Sequence, residues 1–287
     1  MHNDENNVCA ESLGAIISDR DIRDYRIAAS DVANASLTFP DRFELEMPPV
    51  KNQGTVGSCV AHALAETIEF FNAKSGLQED MSVGYIYGNR RNTDHMGYGM
   101  ITRDAIKAVC SDGDVPHYMF PFNEEVPDIV SRFNAADTTL SEVARGMRPT
   151  SYFKVASANE IKTALCNGNP VIFAVTWYSD AKVIDGVITT NRSDPRGGHC
   201  MVIYGWDERG WKIQNSWGKH WGEGGRAILP YNYTIREAYC VIDDTKNNLL
   251  IIRPFHTKNQ IIKCLAKALN VVMRLIDRIV RAVTGRK

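Results

Sequence analysis

The chain has 287 residues, 44% hydrophobic and 23% charged, which is ordinary for a folded protein and excludes global disorder. That length suits one large domain or two small lobes around a sizeable core. The net charge of −1 says nothing by itself about partners but hides an asymmetry: residues 258–287 hold eight Lys or Arg against a single acid, Asp277, so this stretch carries +7 and the remainder −8.

Seven cysteines, odd in number and without CxxC pairs, argue against zinc and against a dense disulfide framework. No metal or cofactor is expected. No run approaches the roughly 18 apolar residues needed to span a bilayer. The first twenty residues are acidic and polar with only Leu13–Ile17 apolar, so no secretory signal is visible. A reducing cytoplasm is the default compartment, with peripheral membrane association or non-classical export as alternatives.

Residues 1–40 read as a polar lead-in or a short pro-like segment. Pro40 and Pro48-Pro49 break any helix and predict an extended strand through Phe43–Val50. Next comes QGTVGSCVAHA, Gln53 to Ala63, where Gly54 and Gly57 allow a tight bend and close approach to a ligand. From Val60 the pattern turns helical, with Val60, Leu64, Ile68 and Phe71 on one face and Gly76 as a stop. Cys59 opens this helix, among unpaired N–H groups that favour a thiolate. A lone cysteine there also has a bland reading, as a buried packing residue.

Residues 81–93 predict another short helix, His95–Gly99 a glycine-rich turn, and Thr102–Cys110 a helix stopped by Asp112-Gly113. Pro116, Pro121 and Pro127 mark loops, so 58–150 reads as helical with long connections. After about 150 the period changes. Ser157 and Glu160 form a capping box before a short helix. Strand-length apolar runs follow at Val171–Trp177, Cys200–Tyr204, Trp211–Asn215, Arg226–Leu229 and Ala238–Ile242, as in an antiparallel sheet or barrel. A helical lobe followed by a β lobe makes an α+β protein.

Three stretches then converge. Cys59 lies 140 residues before His199, which follows Gly197-Gly198, and His199 lies 16 before Asn215. Nucleophilic acyl transfer needs a thiolate, an imidazole within reach, and a third group fixing the imidazole. The Asn oxygen can accept from one ring N–H and leave the other nitrogen facing sulfur.

VKNQGTVGSCVAHA, GGHCMVIYGW and WKIQNSWGKHWGEGG together resemble the papain-like cysteine peptidases, over roughly residues 40–245 and more weakly from 80 to 170. The resemblance implies a two-lobe fold with the active site in a cleft between a helical lobe, about 58–150, and a β-barrel lobe, about 151–250, in a catalytic domain of 41–250. It implies Cys59 as nucleophile paired with His199 as thiolate and imidazolium, Asn215 as orienting group, and Trp217 covering that hydrogen bond. The Gln53 side chain and Cys59 N–H would form the oxyanion hole. Substrate contacts are expected from Gly57, Ser58, Gly97, Gly99, Gly198, Cys200, Trp217 and Trp221, with Trp221 on the leaving-group side and Cys200 near the second specificity pocket.

The family's cysteine three residues before the nucleophile and aromatic after it are here Val56 and Val60. Val56 removes one end of a family disulfide; neither change removes a catalytic atom. DIRDYR, PDRFEL and DVPHYMFPF look closer to bacterial and phage relatives than to animal cathepsins. Residues 1–40 lack the long helical pro-segment of zymogen cathepsins, and leave open whether they cover the cleft or pack behind the fold. His62 reads as a surface or packing residue and His220 as a solvated loop residue, while Cys110, Cys166 and Cys240 fit apolar packing positions.

The C-terminal region 251–287 falls outside the resemblance. Ile261, Leu265, Ala268, Val272, Ile276, Ile279 and Val283 recur at helical spacing opposite Lys263, Lys267, Arg274, Arg278 and Arg281, a cationic amphipathic helix. It suits an anionic membrane surface or a protein partner, or docking on its own domain; nucleic acid is disfavoured. The expected activity is a thiol endopeptidase acting on peptide or protein substrates. A transamidase or ligase is the alternative within acyl transfer, and a non-catalytic binding protein recruited by its C-terminal helix is the alternative outside it.

Overall fold

The helix that opens at Cys59 forms as expected, α1 (Cys59–Lys74), but it is no one-sided amphipathic helix. Every residue from Cys59 to Asn72 is buried. Its polar side chains are therefore paired: Thr67 donates to the Ala63 carbonyl at 2.7 Å, and Glu69 accepts from the Met81 N–H and the Lys51 ammonium, both at 2.7 Å. Ser75 caps the end, and Gly76, at φ 83°, turns the chain away where a side chain would be strained.

The computed structural model describes residues 13–21, 38–90, 98–123, 126–135 and 138–243. Residues 1–248 form one compact unit. The second unit, 249–287, which includes the cationic amphipathic pattern, lies outside the described residues.

Against α1 pack α2 (Val83–Gly88) and α3 (Thr102–Asp112), with α4 (Val126–Ala135) on α2 and α5 (Thr138–Arg145) on α3. Ser82 caps α2 by accepting from the Tyr85 N–H at 2.9 Å, and Gly113 closes α3 at φ 79°. Pro127 does not mark a loop: it lies in the first turn of α4, where the N–H that proline lacks has no helical partner to lose. Cys110 is half-buried, but Cys166 is exposed at the end of α6 (Ala158–Cys166) rather than packed. The Ser157–Glu160 capping box of α6 is present.

The second lobe is built on a nine-stranded sheet among the described residues. Its strands are β2 (Phe43–Glu44), β4 (Ser151–Lys154), β5 (Val171–Tyr178), β6 (Lys182–Ile184), β7 (Val187–Thr189), β8 (Pro195–Trp206), β9 (Gly210–Gln214), β10 (Arg226–Pro230) and β11 (Ile235–Ile242). In spatial order they run β4-β11-β5-β8-β9-β10-β7-β6, with β2 also on β8. Strands β5 and β8 are central and read as near-continuous apolar runs because both faces are covered. The extended strand expected through Val50 shrinks to the two residues of β2, since Pro48 and Pro49 have no N–H to give a ladder. A separate pair joins β1 (Ala15–Ile16) in parallel to β3 (Met100–Ile101), so part of the N-terminal lead-in is structured.

Two apolar clusters result, one around α1 and one inside the sheet lobe. Strand β8 faces both, with Cys200 and Val202 in the first and Met201 and Ile203 in the second. His199 thus stands on a strand that belongs to both lobes.

Candidate active site

The pairing of distant backbone segments brings the sequence-predicted residues together. The turn before α1 is stitched to the loop after β9: the Gln53 N–H donates to the Ser216 carbonyl at 2.8 Å, the Gly218 N–H to the Lys51 carbonyl at 3.0 Å, and Asn52 bridges Trp217. In β8, His199 stands opposite Val175. The backbone N–H groups of Cys200, the next residue, and of Gly14 and Val60 favour the Cys59 thiolate electrostatically.

Asn215 is held so that it can hold the histidine. Its N–H donates to the Gly225 carbonyl at 3.0 Å, and its Oδ1 accepts from the Ser216 N–H at 2.8 Å. The same Oδ1 lies 2.7 Å from His199 Nε2. Because Oδ1 can only accept, Nε2 carries the proton and Nδ1 is left as the basic nitrogen. Nδ1 has no hydrogen-bond partner among the described residues. Trp217 stacks on the imidazole at 4.3 Å and 20°, and Trp177 meets both rings edge-on. Trp221 stands beside them at 5.6 Å from Trp217. His199 and Asn215 are fully buried under this wall.

Gln53 is fully buried and fixed at both ends of its amide. Oε1 accepts from the Ser216 hydroxyl at 2.5 Å, and Nε2 donates to the Val56 carbonyl at 2.8 Å. Ser58 does not face the cleft: its hydroxyl turns inward to His62 Nδ1 at 3.2 Å, because His62 is buried against Phe122 rather than at the surface. His220 is exposed, and Gly97 lies outside the described residues.

Of the N-terminal residues, those around Gly14 and Ala15 lie in the cleft. Gly14 lies against Gly57, where a Cβ on Gly14 would fall 1.8 Å from the Gly57 carbonyl oxygen. A Cβ on Gly99 would come within 2.5 Å of the Gly14 oxygen, and one on Gly198 within 1.9 Å of the Ala15 oxygen. The Met100 N–H donates to the Gly14 carbonyl at 2.8 Å. Gly57, Gly99 and Gly198 thus form a trough shaped for an extended backbone, and residues 13–16 fill it.

This filling governs the electrostatics. Burial pushes the Cys59 thiol up to about 11, against the opposing pull of the surrounding backbone N–H groups. Burial likewise pushes His199 down to about 4, against the Asn215 hydrogen bond. In the covered site desolvation thus works against the thiolate–imidazolium pair expected from the sequence, and the backbone N–H groups at Cys59 and the Asn215 bond at His199 work for it.

Sequence reasoning missed Ser216, which braces Gln53, and Trp177, which closes the wall behind His199. Ser216 sits inside the NSWG string, but nothing in the string announces its reach back to Gln53. The cleft segment did leave a trace: Leu13–Ile17 is the apolar stretch in an otherwise polar start.

The model of the papain family of cysteine proteases matches residues 39–247. An uncharacterized peptidase C1-like protein of Acanthamoeba polyphaga mimivirus is 27% identical over 203 residues, 65% of this chain and 65% of that protein. A cathepsin B-like protein of Giardia intestinalis is 27% identical over 211 residues, 66% of this chain and 67% of that one. The chain therefore spans about two thirds of the length of these curated relatives. Among solved structures, xylellain, a cysteine protease from Xylella fastidiosa, is 26% identical with a TM-score of 0.69, covering 82% of this chain and 97% of that chain.

Proposed function

The chain belongs to the papain family of cysteine proteases, and we propose that it is a thiol-dependent endopeptidase using Cys59, His199 and Asn215. The observation that carries this reading is the 2.7 Å contact between His199 Nε2 and Asn215 Oδ1, which leaves Nδ1 as the base, on the strand whose next N–H favours the Cys59 thiolate. Once the cleft opens to substrate, Nδ1 takes the thiol proton and the thiolate attacks the scissile carbonyl. The oxyanion is received by the Cys59 N–H and the Gln53 amide, which Ser216 preorganises. His199 then protonates the leaving amine, and a water deprotonated by the same nitrogen releases the acyl group.

Residues 13–16 occupy the trough that an extended substrate needs, so the form described is latent and becomes active when this segment leaves. Hydrolysis of a casein or fluorogenic peptide substrate tests the reading. Cys59→Ala and His199→Ala are each expected to abolish turnover while preserving the fold. Turnover that survives Cys59→Ala would overturn it.

The cationic pattern of 258–287 supports recruitment of a cytoplasmic chain to an anionic membrane surface or an acidic partner. Co-sedimentation with phosphatidylserine vesicles should be strong for the full chain and lost on truncation after residue 255. Equal sedimentation of both would dismiss the membrane.

A further inference from the structure

Two turns below Cys59, on the same face of α1, lies a carboxyl group that the proposed reaction does not use. Seven residues separate Cys59 from Glu66, which brings the helix back to within about 20° of the same direction. Glu66 is 1% exposed. Its Oε1 accepts from the Lys51 backbone N–H at 3.2 Å. On another side it meets Gln214, the last residue of β9. The Gln214 amide is fully buried, and its Nε2 favours charge on Glu66 yet makes no hydrogen bond of ordinary geometry among the described residues.

Both neighbours belong to segments that carry site residues. Lys51 lies two residues before Gln53, the oxyanion donor, and Gln214 lies one before Asn215, which orients His199. The Lys51 carbonyl also accepts from the Gly218 N–H at 3.0 Å, so the two segments are tied to each other above Glu66. Arg226 of β10 holds Gln214 from its far side: Nε donates to Gln214 Oε1 at 3.1 Å, and Nη2 donates to the Met47 and Pro48 carbonyls at 3.4 Å. Cys200, next to His199 on β8, lies near enough for its thiol to feel a charge on Glu66. A single carboxyl on the nucleophile's own helix thus meets the segments of the oxyanion donor and of the orienting amide.

No cation is committed to Glu66. The Lys51 ammonium is bound to Glu69 at 2.7 Å and to Asp80. Burial, reinforced by Glu69 on the same helix, pushes Glu66 up to about 8, against the pull of the Lys51 N–H, the Gln214 amide and the Lys51 ammonium. The surroundings therefore ask of this side chain an acceptor oxygen in a fixed place more than a negative charge. Without it the buried Lys51 N–H and Gln214 amide are left unpaired, and the segments they belong to relax toward other partners. Misplacing reacting groups by about 1 Å costs about 10²-fold in rate. We propose that Glu66 is a positioning residue for the reaction, the strut that keeps the Gln53 donor and the Asn215–His199 pair in place around Cys59. This deepens the endopeptidase reading and rests on it.

The test compares the full chain with Glu66→Met, which fills the space but offers only a weak acceptor, and with Glu66→Gln, which keeps an acceptor oxygen in the same shape. With a fluorogenic peptide, kcat should fall about tenfold or more in Glu66→Met with KM little changed, and stay within about threefold of the natural value in Glu66→Gln. In parallel, the side-chain amide resonances of Gln53 and Asn215 in 15N-labelled protein should shift in Glu66→Met and hold their places in Glu66→Gln. Those resonances need no turnover, so a natural protein without peptidase activity would sink the proposed function and still leave Glu66 decided. Should Glu66→Met not fold, Glu66→Asp, which withdraws the acceptor by one carbon, takes its place with the same expectation. A folded Glu66→Met or Glu66→Asp protein with unchanged kcat and unchanged amide resonances would overturn the assignment, as would a Glu66→Gln protein as impaired as Glu66→Met.

Discussion

Gly14 and Gly57 meet backbone to backbone, so closely that a methyl group on Gly14 would lie 1.8 Å from the Gly57 carbonyl oxygen. Gly57 belongs to the turn that presents Cys59, and the Gly14 backbone N–H favours the Cys59 thiolate. The nucleophile is covered by a residue that fits because it has no side chain.

Any larger residue at 14 should therefore dislodge the segment without touching the enzyme's own groups. Gly14→Val is expected to raise the alkylation rate of Cys59 by iodoacetamide at pH 7 at least tenfold, as water returns and the thiol is no longer held near about 11 by burial. Tandem mass spectrometry of the alkylated peptide would read this directly. An unchanged rate would mean that Gly14 does not govern access.

Ser216 should matter through Gln53. Ser216→Ala removes the 2.5 Å bond to Gln53 Oε1 and frees the amide to rotate, so kcat should fall about tenfold with KM little changed. Gln53→Ala, which removes the donor itself, should cost about 10²–10³ in kcat. If Ser216→Ala lowered activity in the Gln53→Ala background by the same factor, the two residues would not be acting together.

Acid should strain α1 through His62. Burial holds this imidazole at about 4 against its ordinary 6.5, with the Ser58 carbonyl only partly offsetting. A folded-state pKa below the unfolded one means the unfolded chain binds the extra proton between those values. The stability that His62 contributes is thus present above pH 6.5 and lost as pH falls toward 4, about 2 kcal/mol of it by pH 5. Glu66 and Glu69, raised by burial to about 8 and about 7, act with the opposite sign over this range, so the comparison must be between variants. His62→Gln should flatten the decline in urea-unfolding stability from pH 7 to 5 relative to the natural protein; parallel curves would refute the assignment.

What was legible in the sequence is what is local. The turn before Cys59, the Gly-Gly before His199 and the Asn-Ser-Trp-Gly after β9 are short strings whose geometry follows from their own residues, and the sheet strands carry their apolar runs openly. What was hidden depends on pairings between distant segments. Ala15 finds Met100 across 85 residues, through a two-residue strand too short to show any period. Helix α4 hid behind Pro127, because proline in a first turn and proline in a loop look the same.

The most direct test of the account as a whole is to treat the Gly14→Val protein with a peptidyl vinyl sulfone and map the adduct by mass spectrometry. One equivalent should add to Cys59, with none on Cys110, Cys166, Cys200 or Cys240, and Asn215→Ala should slow the addition. A folded Gly14→Val protein that remains unlabelled, or that carries the adduct on another cysteine, would contradict it.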